Sequence, residues 1–148
     1  MISQTAEYAL RAAVHLATAD SKQTVEQIAA GTQVPSGYLS KVLQSLTRAG
    51  LLCSQRGIGG GFILAKPATE MSVYEVVQAV DPIQRIVKCP LGLAAHETYL
   101  CPLHKGLDDA MSLIEAQFRG TTIAAVMDTP EANEKLRSAG ASLKVLNS

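Results

Sequence analysis

The chain has 148 residues, 47% of them apolar, and its 13 basic and 13 acidic residues cancel. That length suits one domain, or one domain with a dimerisation arm, and that apolar share supplies a core and excludes global disorder. No run approaches the roughly 18 unbroken apolar residues of a membrane span, and MISQTAEYALRAA lacks the basic head and apolar core of a signal peptide, so the expected compartment is the cytoplasm.

The first helix is expected over 4–18, where Leu10, Ala13, Val14 and Ala17 recur at helical spacing. "DSKQ" breaks it. Thr24 then opens T-V-E-Q, a capping-box pattern closed by Gln27, and a short helix runs through Ile28 and Ala29 to Gly31. "TQVPS" is a turn with Ser36 as the expected N-cap of a third helix. That helix places Leu39, Val42, Leu43 and Leu46 on one face and stops at Gly50. Two short helices across a tight turn form a helix-turn-helix pattern. The outer face of the second carries Ser36, Gly37, Tyr38, Ser40, Lys41, Gln44 and Arg48, hydrogen-bonding groups and a glycine suited to base edges and phosphates. A solvated helix face is the plainer alternative.

"LLCSQRGIGGGFILAKP" follows directly. Leu51, Leu52 and Cys53 begin a strand, Gly57 to Gly61 form a tip, and Phe62, Ile63 and Leu64 return. A hairpin after a helix-turn-helix is a wing. Arg56 would enter a narrow minor groove from its tip, beside Gly57, Gly59 and Gly60. The glycines do not make a nucleotide loop: Phe62 stands where the last glycine of G-x-G-x-x-G belongs, and no P-loop Lys-Ser/Thr follows. Cys53 reads as a small core side chain, and His15 as a surface or partly buried helix residue.

The charge is divided along the chain. Residues 1–66 carry six basic and three acidic side chains, and no Asp or Glu stands between Glu26 and Glu70. A window free of carboxylates suits contact with a polyanion.

"MSVYEVVQAVDP" reads as a short helix over 72–80. "CPLGLAAHETYLCPLH" then places two thiols and two imidazoles, Cys89, His96, Cys101 and His104, within sixteen residues. In the expected reducing compartment such residues suit metal or redox chemistry better than a structural disulfide. Leu107, Met111, Ile114 and Phe118 form a stripe along a long helix over 105–127. Packing against a second copy would cover it, and packing within the chain is the alternative. The polar stretch 128–148 reads as a loose tail. The expected fold is therefore mostly α. A winged helix-turn-helix domain (1–81) with a two-stranded wing precedes a Cys/His sensor loop (82–104), a dimerisation helix (105–127) and the tail.

"EYALRAAVHLA" at 7–17, "GYLSKVLQSLTRAGLL" at 37–52 and "RGIGGGFILAKPA" at 56–68 resemble the bacterial regulator family of IscR, NsrR and CymR. The resemblance covers roughly residues 1–127. It implies homodimers on palindromic double-stranded operators, with Tyr38 and its helix in the major groove and Arg56 in the minor groove. IscR-like members also carry three cysteines at six-residue steps and a histidine three residues beyond. Cys89, Cys101 and His104 match, while Ala95 stands where the middle cysteine belongs. The resemblance implies an iron–sulfur cluster of the 2Fe–2S type, completed by His96 or by Glu7 of the partner.

The same donor set suits tetrahedral zinc, or a Cys89/Cys101 dithiol with no metal. No Ser-His-Asp arrangement or nucleophile elbow appears, so an enzyme is not expected. A DNA-binding repressor governed by the Cys/His loop is the leading reading. A non-DNA interaction module or enzyme on a winged scaffold is the competing one.

Overall fold

The structure, a computed structural model, describes residues 2–127. Helix α1 (Gln4–Thr18) is capped by Ser3, whose hydroxyl accepts from the Ala6 amide. Helix α2 (Val25–Thr32) starts at the capping box read from the sequence: Thr24 and Gln27 each accept from the other's backbone N–H. It ends on Gln33, held in the left-handed region at φ 57°. Helix α3 spans Ser36–Arg48. Its N-cap is Pro35 and not Ser36, which is the first helical residue and accepts the Ser40 hydroxyl on its carbonyl. Proline is tolerated there because a helix start needs no N–H from it.

The core forms where these helices meet α4 (Val73–Val80). Ile28, Leu39, Leu43, Leu46, Met71, Val76 and Ile123 are fully buried. The buried face of α1 is Ala6, Ala9, Ala12, Ala13 and Leu16. Leu10, Val14 and Ala17, singled out by periodicity, lie partly buried beside it. Alanines let the neighbouring helices approach closely; of this buried face the periodicity picks out Ala13 and misses Ala6, Ala9, Ala12 and Leu16.

Strands β1 (Leu52–Gln55) and β2 (Gly61–Leu64) pair antiparallel, with Leu52 opposite Leu64 and Gln55 opposite Gly61. The wing is also stitched to the α1–α2 connection. Gln23 and Phe62 exchange two backbone hydrogen bonds, of 3.0 and 2.8 Å. Gly61 permits this approach: its φ is +139°, and a Cβ there would lie 2.6 Å from the Gln23 carbonyl oxygen. Cys53, expected in the core, is exposed, because its face of the short hairpin is open.

Helix α5 (Pro102–Gly120) and helix α6 (Ile123–Met127) replace the single helix expected over 105–127. The break has a cause. Thr121 turns its carbonyl to the Val73 amide and Ile123 donates to the Met71 carbonyl, both at 2.8 Å, which pulls fully buried Ile123 into the winged core. The α5 stripe divides accordingly. Phe118 packs on the core of its own chain and Met111 is half-buried, while Leu107 and Ile114 are exposed together with Leu103 and Leu113. The tail expected over 128–148 lies outside the described residues. Among the described residues no helix is long and apolar enough to cross a membrane.

Candidate nucleic-acid interface and metal centre

Burying Leu39, Val42, Leu43 and Leu46 forces the opposite face of α3 outward. Ser36, Gly37, Tyr38, Lys41, Gln44 and Arg48 are exposed there, and Ser40 is half-buried. Tyr38 leans towards Tyr8 of α1, ring centroids 6.3 Å apart. A Cβ on Gly37 would meet no heavy atom within 4 Å, so nothing inside the protein requires glycine at that position. Among the described residues no carboxylate pairs with Lys41, Arg48 or Arg56.

Arg56 is exposed at the end of β1. Gly57 and Gly59 take positive φ (92° and 72°), and Gly60 packs where a Cβ would lie 2.3 Å from the Gln55 carbonyl. Between them Ile58 stands fully exposed at the apex. Ile58 is not among the residues that the sequence marks for DNA contact. Its only signal was an apolar residue between two turn glycines, a place where the fold has no use for one. Lys22 donates to Gln55 where β1 runs into the glycine tip of the wing.

The second site lies at the start of α5. Cys101 is its N-cap and is buried, Pro102 fixes the first turn, and His104 follows one turn on. His104 Nδ1 lies 3.0 Å from Cys101 Sγ and 3.6 Å from Cys89 Sγ. A 3₁₀ turn at Ala94–His96 brings His96 Nδ1 to 3.4 Å from Cys89 Sγ. The Cys89, Cys101 and His104 ligand atoms all lie within 4.8 Å of one another. Ala95 is exposed on the same turn. Glu7, the other candidate donor, pairs with Arg11 of its own chain at 2.5 Å.

An iron–sulfur cluster fits these residues in donor chemistry, since thiolates hold such clusters and imidazole can replace thiolate. It does not fit them in spacing. A two-iron cluster takes two protein ligands on each iron, so a third ligand stands across the iron pair from the first two. Here three donors meet around one point.

A helix-turn-helix with an unpaired polar outer face, followed by a Gly-tipped wing, defines a winged-helix regulator of transcription. The comparisons make the class specific. Residues 2–129 match the family model Rrf2, described as an iron-dependent transcriptional regulator, and the chain belongs to that family. It is 29% identical over 135 residues to an HTH-type transcriptional regulator of Aquifex aeolicus, covering 88% of this chain and 94% of that one. It is 39% identical over 94 residues to one of Mycobacterium tuberculosis, covering 62% and 58%.

Two solved structures share the fold. CymR, the global cysteine regulator of B. subtilis, superposes with a TM-score of 0.69 at 19% identity, over 85% of this chain and 95% of that one. IscR of T. potens gives 0.69 at 20%, over 86% and 85%. The relatives are described as regulators, in keeping with a chain that is not an enzyme.

Proposed function

We propose that the chain is a homodimeric repressor that binds palindromic double-stranded DNA, and that a metal centre in the Cys89–His104 loop sets its affinity. The observation that carries the DNA reading is the set of unpaired side chains on α3 and the wing. Tyr38, Lys41, Gln44 and Arg48 suit the major groove, and Arg56 the minor groove. The exposed Leu103, Leu107, Leu113 and Ile114 on α5 suit a second copy, because burying such a stripe removes apolar surface from water. The converging Cys89, Cys101 and His104 support the metal-linked part.

The centre stands between the two functions. Cys89 follows the segment that leaves α4, and Cys101 begins α5. Drawing the two thiols together fixes how the proposed dimer helix leaves the reading domain. A palindrome reads the spacing of two recognition helices, so that angle governs affinity.

Selection from a random duplex pool tests this reading, run with metal-loaded and metal-free protein. A palindromic consensus whose affinity differs between the two forms and falls linearly with log salt is expected. Salt-independent binding, or no enrichment in either form, would remove it.

A further inference from the structure

We infer that the Cys89–His104 loop is built for one tetrahedral divalent ion of the zinc class, held by Cys89, His96, Cys101 and His104 of a single chain. This rests on reading the loop as a metal centre, and it replaces the two-iron cluster, completed by His96 or by Glu7 of the partner, that the resemblance implies.

Spacing is the first ground. With Zn–S of about 2.3 Å and Zn–N of about 2.0–2.1 Å, neighbouring ligands of a tetrahedral ion stand roughly 3.5 Å apart. His104 Nδ1 stands 3.0 Å from Cys101 Sγ and 3.6 Å from Cys89 Sγ, and His96 Nδ1 stands 3.4 Å from Cys89 Sγ; Cys89, Cys101 and His104 form the compact group, and His96 joins it from the Cys89 side. An iron pair bridged by sulfide would have to push one member of the Cys89, Cys101 and His104 group outward.

The donor count is the second ground. His96 brings the set to two thiolates and two imidazoles, the Cys₂His₂ composition of structural zinc sites. The cluster pattern instead asks for a thiol at Ala95, which is exposed and carries none. Glu7 would have to leave Arg11 and act across to another chain. His96 already stands beside Cys89 in the same chain and has only to swing towards Cys101 and His104 to close the set.

The third ground is the way the loop is held. His104 presents Nδ1 to both sulfurs and His96 presents Nδ1 to Cys89. Tyr99 braces the His96 ring, centroids 5.7 Å apart. Pro90 and Pro102 restrict the backbone just after each cysteine. Beyond the short turn at 94–96 the loop has no regular structure of its own, so an ion joining its two ends would order it. Binding is balanced by release of two protons, one from each thiol, with no change of oxidation state.

The test uses the full chain, stripped of metal and kept reduced, titrated with Co²⁺ alone and then with Zn²⁺. One Co²⁺ per chain with the intense visible bands of tetrahedral S₂N₂ coordination is expected, displaced by one Zn²⁺, with two protons released. His96→Ala should weaken Co²⁺ by more than the roughly 100-fold that losing an outer-shell partner can cost. His96→Cys should restore tight binding with stronger thiolate charge-transfer absorption, and Glu7→Ala should change nothing.

Far-UV circular dichroism of His96→Ala should match the parent, since the loop lies outside the core. A parallel sample is offered iron, sulfide and zinc together under anaerobic conditions. Iron and sulfide in equal amounts, or loss of loading in Glu7→Ala, would overturn the single-ion assignment and leave the metal-linked regulator standing. Failure to bind cobalt, zinc or a cluster would remove both, leaving a DNA-binding regulator without a metal.

Discussion

Arg85 and Asp108 meet as a fork: Nε donates to Oδ1 and Nη2 to Oδ2, both at 2.7 Å. The Ile86 amide donates to the same carboxylate at 2.9 Å. The segment leading to Cys89 is thus fastened to α5 one turn beyond His104. Arg85 also reaches Glu115 at 3.5 Å, and Glu115 holds Arg119, whose guanidinium lies 3.5 Å above the Tyr74 ring of α4. Bidentate Arg–carboxylate geometry fixes orientation as well as contact.

The fork has a pH signature. The Arg85 guanidinium, then the Ile86 amide, pull the Asp108 carboxyl from 3.8 down to about 2. A depressed carboxyl contributes stability above its ordinary value and loses it as pH falls through its folded value. The melting-temperature difference between the parent and Asp108→Asn should be full at pH 5 and above, shrink below about pH 4, and vanish only below about pH 2, once the carboxyl is protonated in the folded state as well. A difference independent of pH would show that the charge is not what holds the segment.

Arg56 and Lys41 should fail differently on DNA. Arg56→Ala is expected to weaken binding most on A·T-rich, narrow-groove sequences, where a guanidinium meets enhanced negative potential. Lys41→Ala should weaken all sequences alike and lower the salt slope by about 1. Binding isotherms over a small sequence panel would check both. Identical profiles would mean that the wing carries no selectivity.

Gly37 and Gly61 separate reading from folding. Gly37→Ala meets open space and should leave stability unchanged or raise it by up to about 1 kcal/mol, while reducing DNA affinity by crowding the groove. Gly61→Ala puts a Cβ against the Gln23 backbone at positive φ and should cost about 1–3 kcal/mol. Denaturant titration and DNA binding, measured on the same two variants, would show whether the effects divide this way.

The divided stripe on α5 gives another contrast. Ile114→Asp places a charge in the proposed seam between copies, where desolvation without a partner is costly. Sedimentation should show monomers of unchanged secondary structure. Phe118→Ala removes packing from the chain's own core and should lower stability by about 1–3 kcal/mol without dissociating the dimer. A dimeric Ile114→Asp would leave that face free.

Much of the reading domain was legible because local signals agreed. The Thr24/Gln27 capping box, the four buried residues of α3 and the glycine tip each depend on neighbours within a few positions. What escaped depended on distant partners. The break after Gly120 is fixed by hydrogen bonds to Met71 and Val73, some fifty residues earlier, and the one local stop signal, Gly120 itself, is outweighed in the sequence by the apolar stripe that runs up to it. The alanine face of α1 carries little hydrophobic contrast, so its larger neighbours Leu10 and Val14 drew attention instead. At the Cys/His site the residues were legible but their meeting point was not. Cys89 and Cys101 stand twelve positions apart, and only the turn at Ala94–His96 shows that His96 faces inward.

The pair of hydrogen bonds between Gln23 and Phe62 has a consequence for how a signal could act. The wing cannot swing without carrying the α1–α2 connection, and with it the whole reading head. Each half of the proposed dimer then behaves as a stiff two-pronged gauge whose prongs keep a constant separation. Any adjustment must fall between the two gauges. Operators lengthened or shortened by one base pair at the centre should therefore discriminate metal-loaded from metal-free protein more sharply than operators altered within a half-site.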